Sequence, residues 1–376
     1  MSAEEKMIQV SRPSIGVEEI REIEKVFSTG WLGLGSTVYD FEKELQNFIG
    51  ASNIIAVNTG TSALHIALEA YGIGPGDEVI VPALTFCASI QVITALGAHP
   101  VFCEIKPETL NVDVTDIENR ISSRTRAIMP VHYCGQACDM DSLFQAIGKR
   151  DINIIEDAAH AFGSSYKGKR IGSFGDATCF SFDPIKNLTC GEGGAIALSN
   201  RLIAEKIRVK RILGIDKDTW HRYKNERAWF YEVTTQGYRY HMSNISAAIG
   251  IAQFKKLDAF ISRKKEIVRR YNCAFSTIDG LRVLNWNLKE TAPFTYIVRV
   301  LGGRRNALID FLKNKGVGTG IHYIPNHLHP FFKEFATPLP ITEKTGEEIL
   351  TLPLYYEMTD DQVSIVIDSV LEFFKP

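Results

Sequence analysis

The 376-residue chain has no apolar run long enough to cross a bilayer, and its opening residues, MSAEEKMIQVSRPS, are polar and acidic with no apolar core of a secretory signal. The expectation is a cytoplasmic protein without a membrane partner. It also lacks an excess of charge: 42 Lys and Arg against 44 Asp and Glu leave a net charge of −2, which gives nucleic acid no basic face to bind. Paired cysteines are missing too. Seven cysteines, an odd number scattered through apolar runs, read as free thiols in a reducing compartment. Cys134 and Cys138 resemble half of a metal site, but no second pair stands at ligand spacing, so no metal is expected. Repeats and low-complexity tracts are absent. Small molecules and other protein chains remain as partners, and the length suits one large domain and one smaller.

The most informative stretch runs from Asn153 to Ser199. Asn153 to Glu156 reads as a buried strand ending at Asp157, which puts a carboxylate at a strand's carboxyl end, where open α/β sheets hold ligands. A second strand, Ala177 to Phe182, breaks at Asp183-Pro184 and delivers Lys186 into a polar loop. The turn Gly191-Glu192-Gly193-Gly194 then leads into a third strand, Ala195 to Ser199. A lysine so placed can form a Schiff base with a carbonyl, and an aspartate at that remove can keep a heteroaromatic nitrogen protonated. Pyridoxal phosphate chemistry needs that pairing. Taken singly, each residue has a plainer role, a surface lysine in a Gly-rich turn and an aspartate capping a helix.

The order and spacing of EDAAHAFGS, Ser181-Phe182, Lys186-Asn187 and GEGG resemble the DegT/StrS nucleotide-sugar aminotransferases, fold type I pyridoxal phosphate enzymes, over nearly the whole chain. The resemblance implies an aspartate aminotransferase fold: an α/β large domain at 14–250 with a mostly parallel sheet between helices, and a small α+β domain at 251–376. It implies catalytic Lys186 and Asp157, and a phosphate cup made by Gly60, Thr61 and Ser62 with Ser181. These follow a strand expected at Ile54 to Asn58, where a helix N-terminus offers free N–H groups. Phe86 reads either as core or as the aromatic that the family sets against the cofactor ring. Trp31 is either a loop anchor or a substrate contact. His160 stands where many relatives carry Gln beside the cofactor's phenolic oxygen, and either side chain can donate that bond.

In the stretch GYRYHMSN, Arg239 replaces the usual Asn and His241 the usual Arg. The family's Asn reaches the partner subunit's phosphate, a role a guanidinium can take, although a surface ion pair is an equally simple use of Arg239. His322 and Tyr323 match a His-Tyr-Pro loop beside the family's sugar pocket. His327 and His329 are expected to be structural, as is His65. The polar, aromatic segment Trp220 to Gln236 reads as a loop toward another subunit.

Elsewhere the periodicity predicts a helix at Val17 to Phe27 with Val17, Ile20, Ile23 and Val26 as its apolar stripe. A basic helix at Arg201 to Ile212 should present a solvated face. Strands are expected at Thr295 to Leu301 and Thr319 to Tyr323. The implied function is a homodimeric aminotransferase, its active site shared across subunits, that moves an amino group from glutamate to a nucleoside-diphosphate 4-keto-6-deoxyhexose. Products of that kind are deoxyamino sugars for polysaccharides such as lipopolysaccharide O-antigen. GYRYHMSN sits nearer to perosamine synthase-like relatives acting at sugar carbon 4 than to those acting at carbon 3. The alternative is a non-catalytic scaffold that kept the fold.

Overall fold

The computed structural model describes residues 7–215 and 231–375. Residues 220–230 of the segment expected to reach another subunit lie outside the described residues. Seven strands form the main sheet, in the order β1 (Asn53–Val57), β9 (Gly194–Leu198), β8 (Ala177–Ser181), β5 (Asn153–Asp157), β4 (Thr125–Ile128), β2 (Glu78–Pro82), β3 (His99–Cys103). Only β9 runs against its neighbours; the remaining pairings are parallel. The strands are short, β-branched and apolar because both faces are covered. Along β1, Ile55 and Val57 pack under helices α3 (Gly60–Ala70), α4 (Ala88–Ala95) and α7 (Arg201–Lys210). Ile54 and Ala56 alternate to the other face, against Phe41 and Leu45 of α2 (Ser36–Ile49) and Ala247 of α8 (Asn244–Phe254). On that same face α5 (Val114–Arg120) and α6 (Met140–Ile147) cover β2, β4 and β5. A minor hairpin, β6 (Ser165–Tyr166) with β7 (Lys169–Arg170), lies between β5 and β8 in sequence.

A 19-residue helix, α9 (Leu257–Phe275), leads to a second, antiparallel sheet of β10 (Leu281–Val283), β11 (Tyr296–Val300) and β12 (Ile349–Leu352). Its own core is closed by α10 (Arg305–Asn314) and α12 (Asp360–Phe374), with α11 (Pro340–Glu348) preceding β12. Ile8 joins this second core and pairs with Val317.

Three expectations are corrected. Residues 319–323 are not a strand. They make only an isolated bridge, Gly320 with Thr351, and the third strand is Ile349–Leu352, which follows α11 without any turn residue to announce it. In α1 (Val17–Thr29), Val17 and Ile20 are exposed and Glu19 is buried. The Glu19 carboxylate accepts bonds from the Gly16 amide and the Gln253 side chain and pairs with Lys256, so this helix docks partly through a satisfied charge. Arg211, at the end of the basic helix, is buried rather than solvated; it pairs with Glu42 and donates to the Ala56 carbonyl.

Candidate active site

The carboxyl ends of β5 and β8, the N-terminus of α3 and the loop after β8 converge on a cavity of about 310 Å³. Its size is at the lower end of small-molecule sites. Two glycines, Gly60 and the buried Gly194, let these elements close up. A Cβ on Gly60 would meet Ser181 Cβ at 2.7 Å, and one on Gly194 would meet the Thr59 carbonyl oxygen at 2.4 Å. Thr59 caps α3 by accepting from the Ser62 amide. The amides of Gly60 and Thr61, the first two of the helix, therefore have no intrahelical acceptor and face the cavity end of the dipole.

Asp157 is buried and held at both oxygens: Ser89 Oγ donates to Oδ2 at 2.7 Å, and the Ala159 amide to Oδ1 at 3.1 Å. Ser89 in turn bonds the Thr85 hydroxyl at 2.9 Å, so the carboxylate is fixed from α4 as well as from its own strand. Lys186 lines the same cavity, its Nζ lying 4.2 Å from the centre of the Phe294 ring. Burial pushes its pKa down from 10.5 to about 8, opposed by the charges of Asp183 and Asp157. The carboxylate and the amine thus share one chamber.

His160 bonds the Tyr323 hydroxyl at 3.2 Å through Nε2, while its buried Nδ1 has no partner. Burial, then the Lys186 charge, keeps this imidazole well below its ordinary pKa and hence neutral. His322 is lowered by the same two causes, and its Nδ1 meets Thr351 Oγ1 at 2.8 Å. Burial raises the Tyr323 phenol, so it stays protonated.

Nine of the expected residues line the cavity: Gly60, Thr61, Phe86, Asp157, His160, Ser181, Lys186, His322 and Tyr323. Phe86 is 53% exposed at its mouth, 5.5 Å from the Tyr323 ring, and is not core. Three expected residues do not line it. The Ser62 hydroxyl donates instead to Asn58 Oδ1 at 2.7 Å. Trp31 is tied down by its indole bond to the Leu34 carbonyl and by Asn244, which donates to its carbonyl. Arg239 is exposed on an edge beside Ile212. Ser89, Phe294 and Lys264 escaped the sequence reading. They lie in helices or loops with no motif of their own, and only the fold brings them to Asp157 and Lys186.

The donor set fits pyridoxal phosphate: free helix-end amides and a hydroxyl for a dianion, a fixed carboxylate for a ring nitrogen, an unpartnered imidazole nitrogen and a depressed amine. Five thiols are buried. Cys190 packs behind Gly250, and Cys134 and Cys138 bond to different partners, Thr295 and the Val131 carbonyl. Among the described residues no helix is long and apolar enough to cross a membrane.

A model of the DegT/DnrJ/EryC1/StrS aminotransferase family matches residues 13–371. The spore coat polysaccharide biosynthesis protein SpsC of Bacillus subtilis is 42% identical over 375 residues, 97% of this chain and 96% of its own. Spr1654 from Streptococcus pneumoniae, solved in a PMP-form, matches with a TM-score of 0.91 at 32% identity, covering 96% of this chain and 98% of that one. Its PLP-form matches at 0.90 and 31%, covering 98% and 100%. The sugar aminotransferase CalS13 from Micromonospora echinospora matches at 0.90 and 29%, covering 97% and 100%. Sequence and fold agree along almost the full length, and the chain belongs to the DegT/DnrJ/EryC1/StrS aminotransferase family, whose members work with pyridoxal phosphate.

Proposed function

We propose that this protein is a sugar aminotransferase that takes an amino group from glutamate and delivers it to the keto carbon of a nucleoside-diphosphate 4-keto-6-deoxyhexose. The observation that carries the reading is the meeting of Lys186 and Asp157 in one cavity. Pyridoxal phosphate supplies, when bound, an electrophilic carbonyl and an electron sink.

The chain's residues supply the rest. Asp157, oriented by Ser89 and the Ala159 amide, holds a proton on the ring nitrogen. The Lys186 amine, depressed to about 8, is free base often enough at neutral pH to accept a proton from the donor's α carbon and return it elsewhere. The Gly60 and Thr61 amides and the Ser181 hydroxyl bind phosphate. His160 is the donor to a phenolic oxygen in this reading, Phe86 flanks the ring, and His322 and Tyr323 contact the sugar; all four line the cavity.

Arg239, exposed in this chain, reaches the partner's phosphate in a homodimer, and Trp31 serves the substrate entrance. We place the domain division at 14–250 and 251–376. The similarity to SpsC, a spore coat polysaccharide biosynthesis protein, supports a deoxyamino sugar destined for a polysaccharide. Carbon 4 is favoured over carbon 3 by the GYRYHMSN stretch.

Incubation with glutamate and a panel of nucleotide-linked keto sugars, following 2-oxoglutarate release, tests this reading. Turnover of a simple keto acid with no keto sugar accepted would sink the sugar assignment. The cofactor roles are tested separately by a visible band that borohydride removes and that Lys186→Ala lacks. A scaffold protein would show neither turnover nor band.

A further inference from the structure

Lys264 sits in the middle of α9, in the highly charged run KKLDAFISRKKEIVRRYNCAF, where a solvated lysine is the ordinary expectation. Its side chain is instead 5% exposed, and among the described residues it pairs with no carboxylate. Its Nζ donates at 2.9 Å to Oδ1 of Asn187, the residue next to Lys186. The amide nitrogen of Asn187 is committed elsewhere, to the Ala292 carbonyl at 3.1 Å, which leaves Oδ1 as the face turned to Lys264. Beside them a space of about 20 Å³, lined by Lys186, Asn187, Lys264 and Gln253, has room for about one water. A lone buried ammonium is costly, and two lining one small space cost more.

We propose that Lys264 is a positioning residue for Lys186, fixing its loop through the Asn187 amide and, as a second buried cationic group on the same small space, making protonation of the Lys186 amine less favourable. The inference rests on Lys186 being the cofactor lysine. The two amines titrate as a coupled pair, Lys264 being pushed down to about 8 by burial and then by Lys186.

Of the other charged groups around Lys186, two carboxylates oppose this effect, and burial outweighs them. Asp183 and Asp157 favour its protonation, Glu192 also lines the cavity, His160 and His322 are neutral, and Tyr323 is protonated. Arg12 lines the small space but is largely exposed and turned to Glu357.

The test uses the apo-protein, so its outcome is independent of cofactor chemistry. Competitive acylation, read by mass spectrometry across neutral to alkaline pH, gives the titration midpoint of Lys186. Lys264→Gln keeps a donor toward Asn187 without the charge, Lys264→Met removes both, and Lys264→Arg keeps both. The midpoint is expected to rise by about one pH unit in the Gln and Met proteins and to stay put in the Arg protein. A folded Gln protein with the wild-type midpoint overturns the proposal, since it reduces Lys264 to a structural donor. Should the Lys264 variants not fold, Lys186→Met tests the coupling from the other side: the Lys264 midpoint must then rise, and a fixed one overturns the idea. Failure of the cofactor assignment would show differently, as a missing borohydride-sensitive band in the wild type.

Discussion

Ser89 Oγ stands 2.7 Å from Asp157 Oδ2, joining the first turn of a helix to the end of a strand 68 residues later in the chain. Together with the Ala159 amide on Oδ1, the bond fixes the orientation of a carboxylate that lines the cavity. Ser89→Ala keeps the buried volume nearly unchanged but frees the carboxylate to rotate. The loss of a charge-assisted bond of about 1.5 kcal/mol should lower kcat about tenfold with little change in KM. Steady-state kinetics checks it, and an unchanged kcat would show that Ala159 alone suffices to orient Asp157.

Asp157→Asn tests the charge itself. The amide is isosteric and can still bond Ser89, yet it cannot hold a proton on a ring nitrogen. Turnover should fall on the order of 10³-fold. The borohydride-sensitive band should persist, because Lys186 is intact. Loss of the band together with activity would point to a folding defect instead.

The pH dependence of the apo-protein's stability follows from its two buried amines. Lys186 and Lys264 are each depressed from 10.5 to about 8. Between those values the unfolded chain binds protons that the folded chain does not, so stability rises with pH across that window and is flat, for these groups, below about 8. Thermal melts of the apo-protein should therefore gain from pH 8 upward relative to Lys186→Met, which removes one of the two contributions. Parallel curves for the two proteins would contradict the depressed amine.

Much of this arrangement was legible beforehand because it rests on local pattern. Asp157 and Lys186 are flanked by short apolar strands whose ends are marked by Ala158, Pro184 and the GEGG turn, and the structure puts them on one chamber. What escaped depends on long-range packing. Lys264 is four residues from Phe260 and three from Ile267 on α9, both buried, and nothing in a run of charged residues tells which lysine turns inward. Ser62 was misplaced for a related reason. It follows Gly60 and Thr61 in a phosphate-cup pattern, but it sits on the side of the helix that faces Asn58. The exposed Val17 and Ile20 satisfy the apolar period of a buried stripe, while the contact is made by Val26 of that stripe and by Glu19, whose charge argues against burial until Gln253 and Lys256 are seen beside it.

Gly60 offers the sharpest steric test. A methyl group there would lie 2.7 Å from Ser181 Cβ and 3.2 Å from its Cα, a distance no side-chain rotation relieves because backbone is involved. Gly60→Ala must therefore push the start of α3 away from β8, separating the helix amides from the Ser181 hydroxyl across the cup. One or two charge-assisted bonds to the phosphate would lengthen, and affinity for pyridoxal phosphate should weaken about 10- to 100-fold. The apo form should also melt somewhat lower, since α3 packs on Ile55, Val57 and Cys179 in the sheet's core, but should remain folded. Equilibrium dialysis against the cofactor measures the first quantity and a thermal melt the second. Unchanged binding in a folded variant would mean that the phosphate sits elsewhere, and would remove Gly60, Thr61 and Ser181 together from the site.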